Sequence, residues 1–373
     1  MRRNIPLSKP FLTSVDTKSV VDAMATGWLT QSGSSVTQME MTLSNYINNS
    51  SFIKGIATTT SNGTTALHLS LLSLGIGPDD EVIVPDFSYI AVVNSVLYCG
   101  AKPVVVDIGN DSWNINPVNI LNAVTSKTKA VICVDNYGIL ADYKKIREIL
   151  PKNIAIIQDA SESFPSFGKS SEEIFQGDVV TFSFYANKVF TSGEGGAVFA
   201  DEKVIERICT LKNQGLSQSG NFSHKELGYN YRISNIHAAI FNAQWEQRNV
   251  IQDLRGIVFA KYQEKMSLLK NELRTNADLE ANNWLFTIEL NDNYKDIEEI
   301  RKNLKSSGIE TRPGFLPFSL HSYLENRIQI AGSCENSRRL SKQIISLPTF
   351  PELTEEEIEY IFNHLQVCLD AKK

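Results

Sequence analysis

The sequence is poor in several features that would identify common classes of protein. Its apolar runs are shorter than the roughly 20 residues that a membrane-spanning helix needs. The amino-terminal segment MRRNIPLSKPF has two arginines but no apolar core behind them, unlike a secretory signal peptide. A net charge of −6 and a pI near 5.5 argue against nucleic-acid or acidic-membrane partners. We therefore expect a cytoplasmic protein with no nucleic-acid or membrane partner.

Motifs for metal, hydrolytic and nucleotide chemistry are also lacking. The five cysteines are scattered without a CxxC pair, so the sequence predicts neither a zinc knuckle nor a disulfide framework. The five histidines show no spacing such as HExxH, and we expect no metal site. A GxSxG elbow, a GxxxxGK loop and the spaced glycines of a Rossmann fingerprint are all absent. The sequence therefore gives no support for a zinc site, a disulfide framework, serine hydrolase chemistry or a nucleotide-binding loop.

What the sequence does contain is an alternation of β and α patterns between about residues 52 and 200. Short apolar strands such as EVIVP, PVVVDI, AVICV and IAIIQD are separated by helical segments. This pattern predicts an α/β fold with a mostly parallel central sheet flanked by helices. The polar stretch TNADLEANN precedes the strand WLFTIEL and suggests a boundary. We expect an amino-terminal arm and large domain over 1–275 and a small α+β domain over 276–373.

One lysine lies between a predicted strand and a glycine-rich turn. The segment from 178 to 200 reads DVVTFSFYANKVFTSGEGGAVFA, with the apolar residues of buried strands on both sides of a short loop. We expect Gly193, Gly195 and Gly196 to adopt the unusual torsions of a tight return. Lys188 lies just beyond the first strand, where loss of solvent would lower its pKa and suit it to imine chemistry. A solvated loop lysine is the alternative.

A second candidate site is the predicted strand-to-helix turn Ser61-Asn62-Gly63-Thr64. A helix start offers free N–H donors and a positive dipole end, and Gly63 lets the backbone approach a ligand closely. Thr64 adds a hydroxyl group. The turn therefore fits a phosphate site, although an ordinary helix cap has the same signature.

Three further side chains follow predicted strands. Asp159 ends the strand IAIIQD, where ligands of open α/β sheets bind, and Glu162 comes three residues later. Asp159 could pair with a protonated ring nitrogen or simply cap a helix. Tyr89 follows EVIVP and could stack on a planar ring or pack in the core. A phosphate turn, an aromatic ring, a strand-end acid and a lysine together match the needs of pyridoxal 5′-phosphate (PLP).

The chain resembles the DegT/DnrJ/EryC1/StrS family of PLP-dependent nucleotide-sugar aminotransferases, which have the type I aminotransferase fold. The similarity runs from IPLSKPF to LTEEEIEYIF. Its most specific part is SFYANKVFTSGEGG, which is similar to the family signature SF-x-x-x-K-x-x-T-x-GEGG. The segments SNGTTALHLSLLSLGIGPDDEVIVP, LGYNYRISNIHAAI and GIETRP resemble especially the GDP-perosamine synthase branch.

The resemblance implies roles for particular residues. Lys188 would bond covalently to the cofactor, Asp159 would pair with its ring nitrogen, and Tyr89 would stack on its ring. Glu162 occupies the place of a polar residue near the cofactor's phenolic oxygen. Asn230, in GYNYR, matches an asparagine that reaches the phosphate from the neighbouring subunit, which implies a homodimer with shared active sites. The other matches to phosphate ligands are Gly63, Thr64 and Ser183.

The sugar pocket is where the chain departs from that branch. The branch usually reads near RPFFYPMH, whereas this chain reads RPGFLPFS, so that an aromatic has become Gly314 and a histidine Ser319. An aromatic that precedes a histidine has become Ser223. These replacements predict a pocket of altered shape. The residues expected to contact substrate are Arg312, Gly314, Phe315, Ser319 and His224.

The implied reaction is amino transfer from L-glutamate to C4 of a nucleotide-linked (dTDP or GDP) 4-keto-6-deoxyhexose. Its product would be a 4-amino-4,6-dideoxy sugar of the viosamine or perosamine type, for O-antigen or surface glycan synthesis. Lys188 stands where 3-dehydratases of the family carry histidine, which implies a true aminotransferase. The alternatives are a 3-keto sugar aminotransferase and a PLP-binding regulatory protein. The absence of a basic patch counts against the regulator.

Overall fold

A computed structural model describes residues 4–50, 53–165, 174–216, 222–269, 271–279, 282–294 and 297–371. Its strands form an eight-stranded sheet and a four-stranded sheet. In chain order they are β1 (Ile56–Thr60), β2 (Glu81–Pro85), β3 (Lys102–Val106), β4 (Thr128–Val134), β5 (Ala155–Asp159), β6 (Val179–Ser183), β7 (Gly196–Ala200), β8 (Leu273–Thr275), β9 (Thr287–Leu290), β10 (Arg312–Pro313), β11 (Gln329–Ala331) and β12 (Ile344–Ser346).

Several helices begin at polar residues that cap them. Thr354 and Glu357 form the capping box expected at the last helix, and Asn62 caps the helix after the first strand. Within the described ranges, no helix is long and apolar enough to cross a bilayer. The helices are α1 (Ser14–Ala25), α2 (Ser34–Ser50), α3 (Gly63–Ser73), α4 (Ala91–Tyr98), α5 (Pro117–Ala123), α6 (Tyr143–Ile149), α7 (Glu202–Lys212), α8 (Asn235–Glu246), α9 (Arg248–Met266), α10 (Ile297–Ser306), α11 (Glu335–Ser341) and α12 (Glu355–Asp370).

The large sheet has the strand order β1-β7-β6-β5-β4-β2-β3-β11. Strand β7 is antiparallel to both of its neighbours, and the remaining pairs are parallel. The predicted mostly parallel sheet is therefore confirmed. Strand β11 was not predicted, because its three residues carry little pattern, and it brings the carboxyl-terminal part of the chain to the edge of this sheet.

Both faces of the large sheet are covered by helices. In β2, Val82 and Val84 belong to the apolar core that includes α3, α4 and α7, whereas Ile83 belongs to the core that includes α5 and α6. Burial on both faces explains why these strands read as continuous apolar runs instead of alternating with polar residues. The two faces of the sheet are therefore covered, and its parallel strands end at one edge, where loops follow them.

The small sheet has the order β10-β12-β9-β8 and is antiparallel throughout. Residues of α9, α10 and α12 share its apolar core. Its first strand, Leu273–Thr275, lies just before residue 276, where the domain boundary was expected. The boundary itself stays a prediction, and residues 1–3 and 372–373 of the two expected domains lie outside the described part of the chain.

Candidate active site

The candidate residues meet at the carboxyl edge of the large sheet. Because β1, β2, β4, β5 and β6 run in one direction, their carboxyl ends lie along the same edge. Strand β7 runs the other way, so its first residue, Gly196, pairs with Thr60 at the end of β1 and with Ser183 at the end of β6. Asp159 ends β5 beside Thr181. Residues far apart in sequence are thereby brought to one cleft.

Lys188 lies in the turn after β6, with its amide donating to the Tyr185 carbonyl at 2.9 Å. Its side chain is 13% exposed, and Nζ lies 3.8 Å from Glu162 Oε1. Burial lowers the pKa of this amine, and the charge of Arg312 lowers it further. The carboxyl groups of Glu162 and Asp159 act in the opposite direction. The solvated loop lysine that the sequence left open is therefore not what the fold contains.

The two acidic residues are buried and held by hydrogen bonds. Asp159 Oδ1 accepts from the Ser161 amide at 3.1 Å, and Glu162 Oε2 accepts from the Tyr137 amide at 2.8 Å. Burial raises the pKa of both carboxyl groups, and the charge of Lys188 counters the rise. The carboxyl groups of Asp159 and Glu162 therefore share a site with the Lys188 amine, from which most solvent is excluded.

The turn after β1 forms a cradle with no room for a further side chain. A Cβ atom added to Gly63 would lie 2.9 Å from Ser183 Cβ and 3.5 Å from Ser161 Oγ. Helix α3 begins at Gly63, and because the Thr65 amide donates to Asn62 Oδ1 at 3.0 Å, the amides of Gly63 and Thr64 are the first-turn donors left for a ligand. Thr64 is partly exposed there. The hydroxyl of Ser161, which sequence reasoning missed, therefore lies beside the predicted phosphate residues.

The glycine-rich turn differs from the expectation at two of its three glycines. Only Gly193 has a positive φ, of +79°. Gly195 and Gly196 are needed for space, because a Cβ at Gly195 would lie 2.3 Å from Ser192 Oγ and one at Gly196 would lie 2.4 Å from the Asn62 carbonyl oxygen. The turn therefore packs directly against the phosphate cradle.

Aromatic rings line the opposite side of the cleft. Tyr89 follows β2 and is 61% exposed, with its ring centroid 6.4 Å from that of Phe315. Phe315 in turn stacks on Tyr137 at 5.1 Å. Tyr137 has a φ of +54° and directs its amide to Glu162. The exposed face of Tyr89 is thus available to a planar ligand.

Residues 312–319, which were expected to contact the sugar, are bonded through Ser319 to Asp86, the residue after β2. Ser319 donates its amide to Asp86 Oδ1 at 2.7 Å and its hydroxyl to Asp86 Oδ2 at 2.9 Å. A Cβ at Gly314 would lie 3.3 Å from both Ile344 Cβ and the Ser341 backbone, so a side chain there would point toward α11 and β12. Arg312 is close enough for its charge to affect Lys188. Substrate contacts by these residues stay a prediction.

The segment around GYNYR passes beside the phosphate cradle. The Tyr231 carbonyl accepts from the Ser61 amide at 2.9 Å. Asn230 is exposed, and its Oδ1 accepts from Arg232 Nη2 at 2.8 Å. His224 is exposed, with Nδ1 2.8 Å from the Gln214 carbonyl oxygen. The expected contact of Asn230 with a neighbouring subunit stays a prediction.

Trp284 is a site residue that the sequence did not indicate. It was read only as the first residue of a strand, yet its ring lies 4.2 Å from Lys188 Nζ. Its indole N–H donates to the Asn187 carbonyl at 2.8 Å. The strand begins only at Thr287, so Trp284 lies in the segment before β9. Local sequence patterns do not predict the contact, since Lys188 lies in the turn after β6, far away in the chain.

The residues present fit PLP. The crowded cradle at Gly63 leaves backbone amides and hydroxyl groups as donors for a phosphate. Asp159 supplies a fixed carboxylate for a ring nitrogen, Tyr89 an exposed aromatic face and Lys188 a largely buried amine. Each group that this cofactor needs is therefore found at one edge of the sheet.

Comparison with known proteins agrees with this geometry. A sequence model of the DegT/DnrJ/EryC1/StrS aminotransferase family matches residues 11–366. The chain is 36% identical over 359 residues to a GDP-perosamine synthase of Escherichia coli O157:H7, covering 96% of each protein. It is 32% identical over 375 residues to a GDP-perosamine synthase of Caulobacter vibrioides, covering 98% of each.

A similar solved structure is Spr1654 of Streptococcus pneumoniae. Its PMP form superposes with a TM-score of 0.91 at 25% identity, covering 99% of this chain and 98% of that one. Its PLP form has the same TM-score of 0.91 at 24% identity and covers 100% of both chains. The chain therefore belongs to the DegT/DnrJ/EryC1/StrS aminotransferase family and is a PLP-dependent aminotransferase.

Proposed function

We propose that this aminotransferase moves an amino group from L-glutamate to C4 of a nucleotide-linked 4-keto-6-deoxyhexose. The observation that carries the proposal is the similarity, over nearly the whole chain, to two proteins named GDP-perosamine synthase. Perosamine is a 4-amino-4,6-dideoxy sugar, so these names favour C4 over C3. A GDP-linked sugar is the first candidate and a dTDP-linked sugar the second, and the product would serve O-antigen or another surface glycan.

Lys188 is the proposed base for the Cα proton of glutamate. When bound, PLP supplies an aldehyde that carries the amino group and a ring that accepts electrons from the bond broken at Cα. Burial lowers the pKa of this amine, which favours the neutral form that can take up that proton at Nζ. Glu162 Oε1, 3.8 Å away, orients the amine.

The other site residues hold and orient ligands. Asp159 would keep the ring nitrogen protonated, since its carboxylate is fixed by the Ser161 amide. Gly63, with the backbone amides of the first turn of α3, would bind the phosphate. Arg312 adds a positive charge near the amine and suits the acidic donor or the sugar diphosphate.

A homodimer with shared sites is part of the proposal. Five large apolar side chains between residues 12 and 29 are exposed in the isolated chain, and apolar side chains are often covered when subunits assemble. They are Leu12, Val21, Met24, Trp28 and Leu29.

The test is a glutamate-dependent assay with two substrates, GDP-4-keto-6-deoxymannose and dTDP-4-keto-6-deoxyglucose, with the amino position of the product read by NMR. We expect a 4-amino product and formation of 2-oxoglutarate. A product aminated at C3 of a 3-keto sugar, offered in parallel, would refute the C4 assignment. Finding no amine transfer to any of these sugars by PLP-loaded enzyme would refute the substrate class.

Replacement of the lysine tests the mechanism. Lys188→Ala should abolish turnover, because it removes the amine that is proposed to move the proton, while PLP still binds through its phosphate. Lys261→Ala is the matched control, since Lys261 pairs on the surface with Glu355 at 2.7 Å. Undiminished product formation by Lys188→Ala would rule the mechanism out.

A further inference from the structure

Trp284 reaches the Lys188 turn from the segment that precedes β9. It is 1% exposed and makes two contacts with consecutive residues of that turn. Its indole N–H donates to the Asn187 carbonyl at 2.8 Å, and Lys188 Nζ lies over its ring at 4.2 Å from the centroid. Filling the core would require neither a hydrogen bond to Asn187 nor a ring face beneath the Lys188 amine, and Trp284 provides both.

Helix α9 fixes this tryptophan from the other side. Arg255 is 2% exposed, and its Nη1 donates to the carbonyl of Trp284 at 2.7 Å and to that of Asn283 at 3.2 Å. A charged donor that holds two consecutive carbonyls restrains the backbone strongly. The ring therefore has a defined position relative to Lys188, and not one set by packing alone.

We propose that Trp284 is a positioning residue for the Lys188 amine, holding its charged form over the indole face and fixing the backbone before it. The electron-rich face of an indole attracts an ammonium group, and the attraction grows where water is excluded. The indole N–H sets the direction in which the turn leaves β6. The inference rests on Lys188 being the reacting amine and does not depend on which sugar is the substrate.

Other charged groups also face Lys188. Glu162 and Asp159 favour its ammonium form, whereas burial and the charge of Arg312 disfavour it. Replacing the Trp284 ring removes one further contact that stabilises the ammonium form of Lys188. The amine should then lose its proton at a lower pH, while the acids and Arg312 remain unchanged.

The test is competitive acetylation of the full-length cofactor-free chain across a range of pH, with Lys188 quantified by peptide mass spectrometry. For Trp284→Leu we expect the half-labelling pH of Lys188 to fall by about one unit. For Trp284→Phe, which keeps a ring face but loses the N–H, we expect a smaller fall together with a lower kcat at unchanged KM for glutamate. The matched control is Tyr262→Phe, which removes a buried hydrogen bond to the Pro348 carbonyl in the small-sheet core.

A half-labelling pH in folded Trp284→Leu equal to that of the native chain would overturn the proposal. If the leucine variant does not fold, Trp284→Phe decides, and native values of both its half-labelling pH and its kcat would overturn it. A shift of the same size in Tyr262→Phe would also contradict it, because the effect would then follow from lost stability. Failure of the sugar substrate proposal would leave the labelling result unaffected.

Discussion

At the scale of single residues, the charge state of the site is set by groups that act against one another. Burial favours the neutral forms of Lys188, Asp159 and Glu162, whereas the mutual attraction of the amine and the acids favours the charged forms. Such a balance is easily shifted by a ligand that brings its own charge. A site of this kind suits chemistry in which one amine must both accept and release a proton.

Ser319 offers a test at the same scale. Its amide and hydroxyl both bond to Asp86, which is fully buried and has its pKa raised by burial. Removing the hydroxyl in Ser319→Ala leaves the carboxylate short of a donor, so we predict a loss of about 1–3 kcal/mol in the free energy of unfolding near pH 7.5. Denaturant unfolding measures it.

Burial raises the pKa of Asp86 and the hydrogen bond of the Ser319 hydroxyl lowers it, and the pH dependence of this loss follows from that hydrogen bond. The Ser319 hydroxyl favours the charged carboxyl, so the loss should be full above the folded pKa and should shrink as pH falls and the group is protonated. Ser306→Ala, which removes an exposed hydroxyl bonded to the Lys302 carbonyl, is the control and should be neutral. A loss independent of pH would contradict the role of Asp86.

At the scale of secondary structure elements, the reversed strand β7 explains the glycine-rich signature. Because β7 starts at the edge where β1 and β6 end, the turn before it must pass under the phosphate cradle. Gly196 then faces the Asn62 backbone with no space for a methyl group. The motif is therefore a consequence of one antiparallel strand in a parallel sheet.

Replacing this glycine should affect both stability and the cradle. In Gly196→Ala the new Cβ would lie 2.4 Å from the Asn62 oxygen, a backbone atom that moves only with the turn. We predict a loss of about 1–3 kcal/mol in unfolding free energy and about tenfold weaker PLP binding, measured by denaturation and by absorbance titration. Gly77→Ala is the control, since its Cβ would meet no described atom within 4 Å. Equal effects of the two variants would refute the steric argument.

At the scale of the whole molecule, the proposed homodimer predicts in which subunit Asn230 contacts the phosphate cradle. The neighbouring Tyr231 carbonyl bonds to Ser61 of the same chain, so Asn230 lies near its own cradle as well as on an exposed segment. The proposed homodimer with shared sites requires that its side chain act in the partner's site. The alternative is that Asn230 acts in the site of its own chain.

Subunit mixing distinguishes them. If Asn230 acts across the interface, a hybrid of Lys188→Ala and Asn230→Asp subunits contains one native site and one site with both defects. Random exchange of the two variants should then restore about one quarter of native activity, measured in the glutamate-dependent assay. Mixing two separate Lys188→Ala preparations is the control and should restore no activity. Failure to restore activity in exchanged mixtures would place Asn230 in its own site.

The sequence by itself determined most of the helices and strands of the large sheet and singled out Lys188 as a candidate. Cap residues such as Asn62 and Thr354, together with the apolar strands, act over a few positions, so their signals are complete within a short segment. The motif around Lys188 is likewise contiguous. For this reason the mostly parallel sheet and the aminotransferase family were predictable, whereas the phosphate turn stays a prediction.

Only the tertiary structure decided which distant side chains complete the site. Trp284 beneath Lys188, Ser319 on Asp86 and strand β11 at the sheet edge each join segments separated by many residues. Such contacts depend on how the small sheet packs against the large one, and neither periodicity nor capping carries that information. The residues proposed to react thus lie in short contiguous motifs, whereas their positions relative to one another depend on packing between distant segments of the chain.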